Sequence, residues 1–151
     1  MQSRKLALLC RDLAENKKAE NTVILDVRKL SSITDFFVIT SGGTEPHLRA
    51  IVNEITDRLR EDHALSPRAI DGGRNAAWQV LDFFDVIVHV MRTDAREKYD
   101  LEGLWGDASR LGPDGTKEPK PGRKSKTGAR TRRKKTGKKP GKTASPPEVY
   151  I

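Results

Sequence analysis

Two apolar runs joined by three residues constrain the fold more than any other feature of this chain. Residues 78–81 and 86–91 flank the tripeptide FFD at 83–85, and the second run is rich in β-branched residues without Gly or Pro. Asp85 is of a residue type that favours turns. We therefore predict an antiparallel hairpin at the centre of a β-sheet.

Patterns typical of helices and strands surround this hairpin. A helix needs apolar residues at intervals of three and four, whereas a buried strand is a short continuous apolar run. These rules predict a helix over residues 2–16, strands over 22–27 and 36–40, a long helix capped by Thr44, a short edge strand near 67–70, and a helical segment capped by Thr93. The fold class predicted is α/β (α+β): a mixed β-sheet flanked by helices.

The last predicted helical segment has an acidic first turn and an apolar side. Asp94 lies where the helix dipole favours an anion. The predicted shared face comprises Tyr99, Leu101, Leu104 and Trp105.

The charge of the chain is concentrated in its C-terminal quarter. Of the 29 Lys and Arg, 13 lie in residues 112–151, which hold only 3 of the 21 Asp and Glu. The first 111 residues are therefore close to neutral. Residues 112–151 are too poor in apolar side chains to offset the entropy of ordering, so we predict a folded domain over 1–111 and a disordered Lys/Arg-rich tail over 112–151.

The basic tail has three possible roles. Its polycationic core at residues 131–142 has no aromatic residues to stack on bases, so any RNA binding would be salt-sensitive and independent of sequence. A solubilising or tethering role fits the composition equally well. The RRKK run also resembles a nuclear-localisation signal, a pattern with many false matches.

The cysteine content and the hydropathy of the chain indicate the cellular compartment of the protein. The single cysteine, Cys10, lies on the apolar side of the first helix and is interpreted as a core residue. No apolar run approaches the roughly 20 residues that a membrane span needs. We expect a soluble cytoplasmic protein in a reducing compartment.

Two groups of residues suggest chemistry and also have simpler explanations. The sequence SGGT at residues 41–44 joins a strand to a helix and is compatible either with a phosphate cradle or with a tight turn, but it lacks the Lys of a P-loop. Asp82 and Asp85 could be metal ligands, but Asp85 is better explained as a turn residue. We predict no metal site, no cofactor and no catalytic residue.

Histidine and tryptophan are more informative about partners than about catalysis. The three histidines lack the spacing of metal ligands, and His89 is interpreted as a polar residue on one strand face or as an interface residue. Trp78 is either a core residue or part of a docking surface. Trp78, Met91, Arg92, Arg96 and Tyr99 gather at one hairpin end and belong to types enriched at interfaces.

The motifs of the first 107 residues together resemble the ribosomal silencing factor family (RsfS, or Iojap-like). The resemblance covers about residues 3–107, and DVIVHVM followed by R..Y.LE.LW is its most specific part. The positions that carry it are Ser31, Ser32, Ile33, Thr34, Asp35, Phe36, Phe37, Val38, Ile39, Ser41, Gly42, His47, Asp71, Gly72, Trp78, Asp82, residues 85–91, Arg96, Tyr99, Leu101, Glu102, Leu104 and Trp105.

This resemblance implies a fold, a partner and a mechanism. The fold would be a mixed-sheet α/β architecture related to nucleotidyltransferases. The partner would be ribosomal protein L-fourteen of the large subunit, and the mechanism would be steric blocking of subunit association, which represses translation when nutrients are scarce. The carboxylate pair of active nucleotidyltransferases does not follow Ser41 and Gly42, so an enzyme is not expected.

The family resemblance also suggests a partner-binding surface. Trp78, Met91, Tyr99 and Leu101 would be apolar anchors, Asp82 and Arg96 would be charged partners, and His89 completes the set. The basic tail would add contacts to ribosomal RNA, and a homo-oligomer is possible. Two alternatives remain open: a nucleotidyltransferase-like enzyme, and a general RNA-binding protein that acts through its tail.

Overall fold

The computed structural model describes residues 1–72, 76–112 and 117–118. Helices in these residues are α1 (Ser3–Asn16), α2 (Glu45–His63), α3 (Thr93–Tyr99) and α4 (Leu101–Leu104). The strands are β1 (Glu20–Asp26), β2 (Phe36–Gly42), β3 (Ala69–Asp71), β4 (Trp78–Asp82), β5 (Val86–Arg92), β6 (Ser109–Leu111) and β7 (Lys117–Glu118).

The strands of the described residues form one mixed sheet in the order β3-β4-β5-β2-β1-β6-β7. The β4–β5 hairpin is antiparallel, as predicted, and its register pairs Trp78 with Met91. β2 and β5 pair in parallel, and the other neighbours pair antiparallel. The predicted mixed sheet flanked by helices is confirmed.

α1 and α2 cover one face of the sheet. The five apolar residues on the inner side of α2 are all buried, and so are Leu6, Cys10 and Leu13 of α1, whereas Leu9 is half-buried. Cys10 is fully buried there, and its burial raises the pKa of the thiol to about 12, which confirms a core role. The buried residues of this layer are Leu6, Ala7, Cys10, Leu13, Ala14, Ile24, Phe36, Val38, Leu48, Ile51, Val52, Ile55, Leu59, Leu81, Phe83, Val86, Val88, Val90 and Leu111.

The start of α2 follows the sequence signals closely. Thr44 adopts extended backbone angles, and its hydroxyl accepts a hydrogen bond from the His47 backbone N–H at 3.2 Å. Glu45 and a proline occupy the first turn, where the dipole favours an anion and the missing proline N–H costs nothing. The predicted N-cap is confirmed.

The start of α3 differs from the prediction. Arg92 occupies the N-cap position, and Thr93 is the first helical residue. The Thr93 hydroxyl donates instead to the Gly42 carbonyl at 3.3 Å, so it ties α3 to the end of β2. Asp94 does lie in the first turn, as expected.

The helical segment after β5 is broken at Asp100. Asp100 takes left-handed angles (φ 46°, ψ 57°), ends α3, and caps α4 by accepting the Gly103 N–H. Leu101 is buried, but Leu104 is 59% exposed. The prediction that these leucines share a buried face is therefore wrong: both lie in the single turn of α4, and only Leu101 packs into the core.

The structure extends the sheet beyond the predicted set of strands. β3 is an edge strand that begins two residues later and ends one residue later than predicted. β6 was not predicted, and β7 lies past the domain boundary placed at residue 111. The rest of the predicted tail, residues 113–116 and 119–151, lies outside the described residues. No helix in the described part combines the length and apolarity needed to cross a membrane.

Replacement of Thr44, the N-cap of α2, should destabilise the fold because one hydrogen bond is lost. Thr44→Ala leaves the His47 N–H without its acceptor, so we expect the free energy of unfolding to fall by about 1 kcal/mol. Thr44→Ser keeps the hydroxyl and should stay near the wild-type value. Urea denaturation followed by circular dichroism measures the difference.

Thr56→Ala provides the matched control within the same helix. The Thr56 hydroxyl donates to the Val52 carbonyl at 3.0 Å inside α2, where it replaces no missing backbone bond. Equal destabilisation by Thr44→Ala and Thr56→Ala would contradict the capping role.

Candidate functional site

Five aromatic rings form a continuous row on the sheet face opposite α1 and α2. In order they are Tyr99, Trp78, His89, Phe37 and Trp105, which we call the aromatic row. Successive ring centroids lie 5.0, 5.9, 5.0 and 5.1 Å apart. The two Phe37 contacts are edge-to-face, the arrangement that the quadrupoles of aromatic rings favour.

Three parts of the chain build the aromatic row. Trp78 and His89 come from the hairpin and Phe37 from β2, whereas Tyr99 ends α3 and Trp105 follows α4. Alternation along β5 places His89 between Ile87 and Met91 on this face, as expected. The remaining buried members of this layer are Leu25, Val27, Ile39, Val80, Ile87, Met91, Leu101 and Ala108.

His89 is a buried neutral base within this row. The Trp78 indole N–H donates to His89 Nδ1 at 3.0 Å, so the neutral ring carries its proton on Nε2. Burial lowers the pKa of His89 to about 3. His89 Nε2 and Trp105 Nε1 are buried without a hydrogen-bond partner among the described residues. Both rings contact Phe37, whose π face is a weak acceptor for N–H groups.

α3 and α4 lead to the two end rings of the aromatic row, Tyr99 and Trp105, and are joined through Arg96. Arg96 Nε and Nη2 donate to the two carboxylate oxygens of Glu102 at 3.1 and 2.9 Å. Its Nη1 donates to Ser41 Oγ at 3.1 Å and to the Glu20 carbonyl at 3.3 Å. The side chain therefore bonds to β1, β2 and α4 while it belongs to α3.

The structure places the seven predicted partner-binding residues largely inside the fold. Tyr99 is half-buried. The others are buried, namely Trp78, Asp82, His89, Met91, Arg96 and Leu101. Five of the set gather at the aromatic row or in its layer, and Arg96 lies beside them. Whether any of them binds a partner stays a prediction.

The two charged residues of this set already have partners within the chain. Arg96 is paired with Glu102. Asp82 Oδ2 accepts from Arg68 Nε at 3.0 Å, and Asp82 Oδ1 accepts from the Phe84 N–H at 2.8 Å. The predicted role of Asp82 and Arg96 as charges presented to a partner is therefore not supported by their surroundings.

Asp82 lies at the opposite end of β4 from Trp78, beside the hairpin turn. Asp85 is exposed in that turn, and its N–H donates to the Phe83 carbonyl at 2.9 Å, so the turn interpretation is confirmed. In the described part of the chain, no group of three His, Cys, Asp or Glu side chains is placed to hold a metal ion.

The SGGT segment forms a tight turn whose polar groups are used within the chain. The Gly43 N–H donates to His47 Nδ1 at 3.4 Å, and His47 Nε2 donates to the Lys17 carbonyl at 2.7 Å. A Cβ at Gly42 would lie 2.8 Å from His47 Nδ1, so a larger residue there would displace the His47 ring. The turn interpretation accounts for these residues, and the phosphate alternative gains no support.

Sequence reasoning missed Phe37, Glu102 and Leu104. Phe37 links both halves of the aromatic row, but its position beside His89 depends on the parallel pairing of β2 with β5. Glu102 lies six residues after Arg96, a spacing that does not bring two side chains together on one helix. Leu104 is one of the exposed large apolar residues, and helical periodicity alone had placed it on the buried side.

The fold and the aromatic row define a class of protein: a small mixed-sheet domain with helices on one face and an aromatic layer on the other. A family model described as "Ribosomal silencing factor during starvation" matches residues 1–139. The chain belongs to the ribosomal silencing factor family, as its motifs had indicated.

Individual relatives agree with this assignment. The ribosomal silencing factor RsfS of Halalkalibacterium halodurans is 36% identical over 108 residues, which cover 72% of this chain and 92% of the relative. That of Bacillus subtilis is 32% identical, with coverage of 72% and 91%. A crystal structure of a Chromobacterium violaceum protein has a TM-score of 0.67 and 28% identity, and the match covers 70% of this chain and 88% of that one.

The buried neutral His89 predicts a loss of stability in mild acid. The pKa of His89 is about 3 in the folded chain and near 6.5 when exposed, so the unfolded chain binds this proton first. Stability is full above about pH 6.5 and is lost as the pH falls toward 3, by about 1.4 kcal/mol for each pH unit within that window. Urea denaturation at pH 7.5 and pH 5 measures this loss.

His89→Gln is the control, because the Gln carbonyl oxygen can still accept the Trp78 N–H but does not titrate. The variant should lose clearly less stability between pH 7.5 and 5 than the wild type, although His47 and His63 are present in both. Equal losses would show that His89 does not carry the effect.

Proposed function

We propose that this protein is a translational repressor that binds the large ribosomal subunit through ribosomal protein L-fourteen. Bound there, it blocks association with the small subunit, chiefly when nutrients are limiting. The observation that carries the proposal is the family match over residues 1–139. The proposal places the protein in the cytoplasm, and it requires no catalysis because steric blocking needs only a complementary surface.

We place the docking surface at the two end rings of the aromatic row, which reach solvent. Tyr99 and Trp105 are half-buried, and Leu104, next to Trp105 in the chain, is 59% exposed. We call these three residues the docking edge. The buried members of the row, Trp78 and His89, support it from below. Aromatic residues and exposed apolar anchors of this kind dominate the binding energy of many protein interfaces.

A second surface at the other end of the sheet provides a comparison. Ile70 on β3 is 56% exposed, nearly the same as Leu104, and it lies beside the Asp82 end of β4 and not beside the docking edge. The two residues are similar in size and exposure. Substitutions of Leu104 and Ile70 therefore show whether a change in ribosome binding depends on the location of the apolar residue or only on the loss of an exposed apolar residue.

Replacement of Leu104 by Asp should weaken binding to purified large ribosomal subunits about tenfold or more, since it puts a charge into an apolar contact. Ile70→Asp should bind like the wild type. Both changes lie on the surface and should leave the melting temperature nearly unchanged. Co-sedimentation with large subunits measures binding, and a subunit-joining assay with the same variants measures repression. Equal binding by the two variants would contradict the location of the docking surface at the docking edge.

The basic tail is proposed to add a salt-sensitive contact to ribosomal RNA. The segment 131–142 holds seven Lys and Arg residues, which can displace counterions from phosphates. A full-length variant with these seven residues changed to Gln should bind large subunits more weakly at low salt, and nearly as well as the wild type at high salt. An unchanged dependence of affinity on salt would reject the RNA contact.

A further inference from the structure

Arg96 is the most extensively bonded side chain near the docking edge. It is only 8% exposed, and its guanidinium donates to both oxygens of Glu102, to Ser41 Oγ and to the Glu20 carbonyl. Ser41 Oγ in turn donates to the same Glu20 carbonyl at 3.0 Å. These bonds connect α3 and α4 to the ends of β1 and β2.

The segment that carries the docking edge has little structure of its own to hold it. α4 is four residues long and is separated from α3 by the left-handed Asp100. Helices this short are not stable by themselves. Besides its own backbone bonds, α4 is held by the Asp100 cap, by the burial of Leu101, by the packing of Trp105 on Phe37 and by the two-point contact of Glu102 with Arg96.

A two-point contact sets orientation as well as distance. The guanidinium and the carboxylate are both planar, and two parallel hydrogen bonds hold the planes in register. Rotation of α4 about its axis would break at least one of these bonds. The Arg96–Glu102 pair therefore fixes the orientation of α4 relative to α3. It thereby sets the positions of Leu104 and Trp105 relative to Tyr99.

We propose that Arg96 and Glu102 are positioning residues for ribosome binding. They touch no partner themselves, and they hold the docking edge in the geometry that the partner needs. An interaction surface held in its bound geometry loses less conformational entropy on association, which increases affinity without any added contact. The inference rests on the proposed function and assigns Arg96 an internal role in place of a direct contact.

The first test compares two neighbouring carboxylates in the full-length chain. Glu102→Gln replaces one of the two charged acceptors by an amide nitrogen, so the two-point contact is lost. Glu97→Gln removes the same charge from an exposed position in α3. We expect Glu102→Gln to lower the affinity for purified large subunits about tenfold at a temperature where the variant is fully folded, and Glu97→Gln to have no effect. Wild-type affinity for the Glu102→Gln variant would overturn the proposal.

The second test separates positioning from simple stabilisation. Apolar side chains can replace a buried ion pair without loss of stability, so Arg96→Met combined with Glu102→Leu should recover the melting temperature lost in Glu102→Gln. Ser41 keeps its bond to the Glu20 carbonyl in this double variant. If the pair positions the edge, affinity stays low although stability returns. Recovery of affinity together with stability would show that the pair only stabilises the fold.

A structural readout keeps the proposal testable without the ribosome. Nuclear Overhauser effects between the Trp105 and Phe37 rings report their 5.1 Å contact. We expect these effects to weaken in Glu102→Gln and to persist in Glu97→Gln. Failure of the wild type to bind large subunits would reject the proposed function alone, whereas unchanged ring contacts in Glu102→Gln would reject the positioning role.

Discussion

The parallel pairing of β2 with β5 is the constraint on which the rest of the structure depends. Seven consecutive residue pairs join the strands, from Phe36 opposite Val86 to Gly42 opposite Arg92. Side chains alternate between faces, so a slip of one residue would move Phe37 from the aromatic row to the helix side. Both strands are almost completely buried, and such a slip would disrupt two apolar layers at once.

This register also explains how a histidine can lie at the centre of a buried layer. His89 is placed between the indole of Trp78 and the ring of Phe37. The indole N–H satisfies one ring nitrogen, and the neutral form avoids the cost of a buried charge. An aliphatic residue would fill the space but would leave the Trp78 N–H without an acceptor. His89 therefore orients Trp78, and Trp78 supports Tyr99 at the docking edge.

Local sequence signals predicted those elements whose structure is determined locally. The hairpin, the two long helices and the Thr44 cap follow from residue type and spacing, and the structure has all of them. The Arg96–Glu102 pair could not be read in the same way, because its six-residue separation becomes a contact only through the left-handed Asp100. The bond from Arg68 to Asp82 could not be read from the sequence either, because Arg68 lies 14 residues away in the loop before β3. β6 was missed since three residues are too few to show a period.

The family motif carries more information about geometry than about contact. The residues that carry the family resemblance include Trp78, His89, Met91 and Leu101, all of which are buried. A substitution of such a residue changes folding and binding together, so loss of binding in Trp78→Ala would not by itself identify a contact. Leu104 is an exposed residue of the same motif that a partner can reach, and its effect on binding can be measured in a chain whose fold is intact. A surface built in this way combines a rigid buried support with a small exposed edge, which limits the entropy lost on association.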